Sequence, residues 1–181
     1  MNKEIKNIVL TSLFIALGII LPMVVHGFGQ EVASAISPMH FPILLCGLIL
    51  GYKYGLLCGV ITPLLASFIN GRPPLLPMAT TMAFELGIYG LLSGLFYHKV
   101  KVFNKKIFNL YFALIIAMLA GRIVFAVVST ILPHIFIKLP EKAFIASFVT
   151  LFASGFIGII LQLLIIPSIV YTIEKIIYEK E

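Results

Sequence analysis

Charge is scarce in this chain. Asp, Glu, Lys and Arg make up 11% of its 181 residues, against about 25% in an ordinary soluble domain. With 61% of residues apolar and a mean hydropathy of +1.13, too little polar surface exists to cover a fold in water. Trp is absent, and the two cysteines, Cys46 and Cys58, lie within apolar runs, where a free thiol behaves as a small hydrophobe. There is no CxxC, no HExxH and no Cys/His cluster, so no metal site is expected. The chain lacks the Gly-rich Lys-Ser/Thr loop that cradles ATP phosphates. It also lacks a Gly-x-Ser element with a partner His, and paired intramembrane carboxylates, which argues against an intramembrane protease. No catalytic residue and no cofactor is expected.

What the chain does have is long apolar runs. A membrane helix takes about 20 apolar residues, so six spans use about 120 and nearly exhaust the chain. The expected fold is all-α: one polytopic membrane domain over 1–181, with spans at about 8–25, 41–52, 55–70, 79–97, 108–132 and 144–172. Lys3 and Lys6 before the first run, with Ala33-Ser34-Ala35 beyond it, resemble a cleaved leader; the run is nevertheless long enough to span and is read as the first helix. The second span is short. Residues 40–70 form either two shortened helices or one re-entrant pair, which would change the count.

The net charge is +6, yet the basic residues are scattered between apolar runs, so nucleic acid is not an expected partner. Six spans gather Lys3, Lys6, Lys53, Lys99, Lys101, Lys105, Lys106, Lys175 and Lys180 on one side and leave Arg72, Lys138 and Lys142 on the other. That asymmetry predicts both termini in the cytoplasm. On the outer side, 26–39 is a long connection carrying Gln30, Glu31, Ser34 and Ser37, with room for a short surface helix. The connection after Asn70 is stiffened by Pro73 and Pro74. Such loops are suited to line the mouth of a site.

Two charges fall inside spans. Glu85 lies roughly 9–10 Å below the outer end of the fourth span, and Arg122 roughly 15 Å below that of the fifth. Insertion of each carries a penalty of about 2.5–3.5 kcal/mol, so a role is expected. One reading is an ion pair that only staples helices; since apolar replacements are often no less stable, stability alone is a weak reason to keep one. The favoured reading is a polar pocket opening outward. Thr81, Glu85 and Tyr89 share a face of the fourth helix at i, i+4 and i+8, and Arg122, Phe125 and Ser129 share a face of the fifth. His40 and Asn70 bracket the second and third spans at the outer face and complete the candidate ligand-binding set. Arg72 reads as a solvated loop charge, and Gln162, deep in the last span, is left out.

Small residues recur at helical spacing: Gly55 and Gly59, Gly90 and Gly94, Ala113 with Ala117 and Gly121, Ser154 and Gly158. They are expected to let helices approach closely inside the bundle. Ser12 and Ala16 lie instead on the first helix, at an edge if the bundle packs in chain order. There a small-residue face is a docking surface for another membrane protein. With one polar site, no internal symmetry and no energy source, the chain needs a partner.

The stretch Met39-His40-Phe41-Pro42-Ile43-Leu44-Leu45-Cys46-Gly47, continued by Gly51-Tyr52-Lys53-Tyr54-Gly55, Gly71-Arg72-Pro73-Pro74-Leu75 and Phe84-Glu85-Leu86, resembles the substrate-binding (S) components of energy-coupling factor vitamin transporters. The likeness extends in architecture over the whole chain. It implies high-affinity vitamin binding near the extracellular side of a prokaryotic cell membrane. It further implies association with a transmembrane coupling subunit and two ATPase subunits, and docking through an Ala-xxx-Ala pair on the first helix. Ser12 and Ala16 occupy that pattern, with Ser in place of the first Ala. The vitamin stays open: Arg122 suits a carboxylate such as that of pantothenate, Glu85 suits a pyrimidine or a B6-type compound, and mutual neutralisation suits an uncharged one. A stand-alone proton-coupled transporter using Glu85, and a scaffold whose buried charges only pack helices, are the competing readings.

Overall fold

A computed structural model describes residues 2–100, 102–136 and 156–178. Among them every regular element is helical: α1 (Lys3–His26), α2 (Gln30–Ile36), α3 (His40–Leu50), α4 (Tyr52–Asn70), α5 (Thr80–Lys99), α6 (Lys106–Phe136) and α7 (Phe156–Tyr178). Helices suit such a sequence because in an apolar solvent each backbone N–H and C=O must be satisfied within its own segment. Among the described residues, six helical stretches are long and apolar enough to cross a membrane.

The second of these differs from the expected 41–52. It runs from Gln30 to Leu50 and takes in α2, so the supposed outer connection is largely helical. Ser37, at φ 52°, ends α2 and redirects the chain, and His40 N–H donates to its carbonyl before α3 begins. The last span is seen as α7; residues 144–155 of the expected segment, with Ser154, lie outside the described residues, as do Lys101, Lys138, Lys142 and Lys180.

Gly51, at φ 97°, makes the turn between α3 and α4. The re-entrant alternative does not hold. His40, at the start of α3, lies beside Glu85, and the His98 Nε2, at the end of α5, is 2.8 Å from the carbonyl of Leu48 near the end of α3. The α3–α4 hairpin therefore runs the depth of α5 from Glu85 to His98, about 20 Å.

Glycines close this centre. Gly47 and Gly55 meet the backbone of Gly90, Gly59 meets Leu86, and Gly94 meets Tyr52, each so tightly that a Cβ would overlap backbone atoms. In lipid, where helices gain little by hiding apolar surface from each other, such approach supplies the attraction. Leu44, Leu86, Leu114 and Ile166 fill the core from α3, α5, α6 and α7. Helix α1 lies on α3 and α4, with Thr11 and Gly18 turned inward and most of its apolar side chains outward.

Candidate ligand cavity

A cavity of about 690 Å³ opens at one end of the bundle. His26 at the end of α1 and Asn70 at the end of α4 both line it, as do residues at the start of α3 and near the start of α5. Gly158, near the start of α7, packs on the carbonyls of Ala35 and Ile36 in α2. Thus α1 ends and α7 begins near this end, while Lys3 and Lys175 belong to the other.

At its floor stand Glu85, His40 and Arg122, from three different helices. Glu85 is 2% exposed and His40 5%. One carboxylate oxygen, Glu85 Oε1, faces two basic side chains: His40 Nε2 at 3.7 Å and Arg122 Nη1 at 3.6 Å. Neither distance is a hydrogen bond. Glu85 Oε1, both ring nitrogens of His40 and Nε of Arg122 are buried without a hydrogen-bond partner. Buried polar atoms are nearly always paired, and an unmet charged group carries a penalty of at least about 1–3 kcal/mol. Four such atoms gather around one cavity, which makes it the candidate site for a ligand that would pair them.

The expected site residues separate into two groups. Glu85, Arg122, His40, Asn70 and Phe125 line the cavity. Thr81 is buried beside it but its hydroxyl donates to the Pro77 carbonyl at 2.8 Å. The Ser129 hydroxyl likewise donates to Ala126, one turn back, at 3.0 Å. Tyr89 lies beneath, its ring centroid 5.1 Å from that of His40 and its phenol within the electrostatic reach of Glu85 and Arg122.

Other lining residues were harder to single out. His26, whose Nδ1 is also buried without a partner, and Gln30 contribute from the α1–α2 corner. Met78 and Met82 form an adaptable apolar wall. Arg72 is exposed, as a loop charge should be, but it stands on the lining at the mouth. Gln162 is buried away from the cavity. Among the described residues, no group of three His, Cys, Asp or Glu side chains is placed to hold a metal.

Comparison with known protein families matches residues 6–170 to the family described as the ECF transporter, substrate-specific component. The chain belongs to this family. No curated protein and no solved structure matches it. As an S component it is a multi-pass protein of the prokaryotic plasma membrane and a transporter subunit. It acts with a membrane coupling subunit and ATPases on a small-molecule substrate. In this S component Ser12 and Ala16 lie on the exposed face of α1, next to exposed Val9, Leu13 and Ile20. The Ser12 hydroxyl is turned back onto its own helix, onto the carbonyls of Ile8 and Val9. At these two positions, among larger exposed apolar side chains, only small, self-satisfied groups face outward.

Proposed function

We propose that this S component is a single-domain, high-affinity binding subunit for ATP-driven uptake of a small vitamin or vitamin precursor, of the pantothenate, pyrimidine or B6 class. Its cavity faces the extracellular side and both termini lie in the cytoplasm. The observation that carries the reading is the set of unpaired buried atoms on Glu85, His40 and Arg122 around one cavity. Lys3, Lys6, Lys53, Lys99 and Lys105 at the far end, against Arg72 at the mouth, support the orientation. Glu85, Arg122, His40, Asn70 and Phe125 contact the ligand, Tyr89 holds the ring of His40 from below, and Thr81 and Ser129 shape the helices behind them. Ser12 and Ala16 dock the coupling subunit.

The test is equilibrium binding by the purified chain with no ion gradient, using pantothenate, hydroxymethylpyrimidine and pyridoxine as probes, with mass spectrometry of any co-purifying molecule. One compound should bind tightly, and Glu85→Gln or Arg122→Met should weaken it at least about tenfold. Proton-driven uptake by the chain alone in liposomes would overturn the assignment.

A further inference from the structure

Granted the binding-subunit reading, the cavity's charges also select the charge of its cargo. Among the described residues, three Asp, Glu, Lys or Arg side chains line it: Glu85 and Arg122 at the floor and Arg72 at the mouth. The floor pair faces at 3.6 Å and is balanced within itself. It still leaves an acceptor, Glu85 Oε1, beside a donor, Arg122 Nε, both unmet. Such an edge is complementary to an uncharged group that offers a donor and an acceptor together, such as an amide or a ring N–H beside a carbonyl.

Arg72 has no such balance. No carboxylate pairs with it among the described residues, and Glu31, on neighbouring α2, is exposed and off the lining. Its loop is anchored by Gly71, whose N–H donates to Ser67 at 3.0 Å and whose φ of 67° ends α4. His26, on the same lining, has its Nδ1 buried without a partner. Met, Pro and Phe side chains share the lining with Gln30, Ser34, Ser37 and Asn70, and the apolar part strengthens a charge interaction relative to open water. Glu85 lies five residues beyond Thr80, roughly 8 Å along α5, and the irregular turn Leu75–Ala79 stands between it and Arg72.

We propose that the cargo is an extended monoanion. Its neutral donor–acceptor head meets Glu85 and Arg122, and its carboxylate lies at the mouth against Arg72 and His26. Arg72 is then a specificity residue, acting on the cargo's charge while the floor acts on its head.

The experiment compares matched pairs of water-soluble vitamins and precursors that differ by one carboxylate, such as pantothenate with pantothenol and biotin with biotinamide. Cationic members of the panel include thiamine, and binding is measured by calorimetry on the purified full-length chain. A monoanion should bind at least about tenfold more tightly than its neutral partner. Arg72→Gln should remove about three- to tenfold from the monoanion and leave the neutral partner unchanged. Arg72→Lys should restore part of the loss, and high salt should narrow the preference because the mouth is open to water. Preference for a neutral or cationic member, absence of binding by every monoanion, or equal weakening of both partners by Arg72→Gln would each overturn the proposal. If Glu85→Gln and Arg122→Gln abolish binding while Arg72 is silent, only the charge assignment fails. If those floor variants change nothing, the cavity itself is not the binding site.

Discussion

Tyr89 and Gly121 are in edge-to-backbone contact: a Cβ at Gly121 would overlap Cε1 and Cδ1 of the Tyr89 ring. The same ring stacks at a tilt on His40, and Gly121 immediately precedes Arg122. The contact thus sets how near α6 comes to α5 and, through it, how near Arg122 stands to Glu85. Gly121→Ala should push the two helices apart and destabilise the protein by about 1–3 kcal/mol. Ligand affinity should fall with it. Thermal unfolding and calorimetry on one preparation check both, and smaller Tyr89→Leu in the Gly121→Ala background should recover stability without recovering affinity.

Removing one member of the floor pair should be worse for stability than removing both. A lone buried charge is the expensive species; loss of one partner of a tightly buried pair is destabilising by about 3–5 kcal/mol. Here the pair is loose and Arg122 borders the cavity, so about 1–3 kcal/mol is expected for Glu85→Gln. The double variant Glu85→Gln with Arg122→Met should unfold at a higher temperature than Glu85→Gln alone and bind nothing.

Helix contacts through glycine backbone should tolerate no added methyl. Gly90→Ala places a Cβ on the backbone of Gly55 and should reduce stability by about 3 kcal/mol or more. Gly87→Ala, three residues earlier on α5, meets only the ends of the Val60 and Leu56 side chains. It should change stability by less than about 1 kcal/mol, helix propensity offsetting the squeeze. Comparable expression and unfolding temperatures for the two variants would contradict this packing.

At the far end, Asn109 ties the α5–α6 connection. Its Oδ1 accepts from the N–H groups of Val102 and Phe103 at 3.1 and 2.8 Å, and its Nδ2 donates to the Phe103 carbonyl at 2.8 Å. Asn109→Ala should lower stability by about 1–3 kcal/mol and open the connection to protease. Ligand affinity should stay within about twofold, because the cavity lies at the other end. A large loss of binding would mean that the two ends are coupled.

On the outward face of α1, Ser12→Phe and Ala16→Phe should leave unfolding temperature and ligand affinity nearly unchanged, since both positions are exposed. Co-purification with the coupling subunit, and uptake by the assembled transporter, should be lost. If the assembled complex survives both substitutions, the docking face lies elsewhere.

The parts legible from sequence were those that a single helix states by itself. Apolar run length pointed to six spans, although the second begins at Gln30 rather than near residue 41, and Glu85 and Arg122 stood out because ionised groups are rare at that depth. Spacing put Thr81, Glu85 and Tyr89 on one face, and all three are buried. What spacing cannot tell is how far each residue lies from the mouth. Hence Tyr89 sits below His40 and Ser129 is satisfied within its own helix, although each shares a face with a lining residue. A short helix within 26–39 is anticipated by its sequence, but its joining to the second span is not, because the run is split at Ser37, whose left-handed backbone no hydropathy pattern announces. Arg72 was read as solvated, which its exposure supports; that it also borders the cavity follows only from the fold of its loop.

The glycines that close α3, α4 and α5 have a bearing on how such a protein diversifies. None of Gly47, Gly55, Gly59, Gly90 or Gly94 lines the cavity, and no lining side chain takes part in their backbone contacts. Distant sites with no shared partner behave nearly independently. If the cavity holds the cargo as proposed, lineages can exchange the residues around it, and with them the nutrient recognised, while inheriting the same frame unaltered.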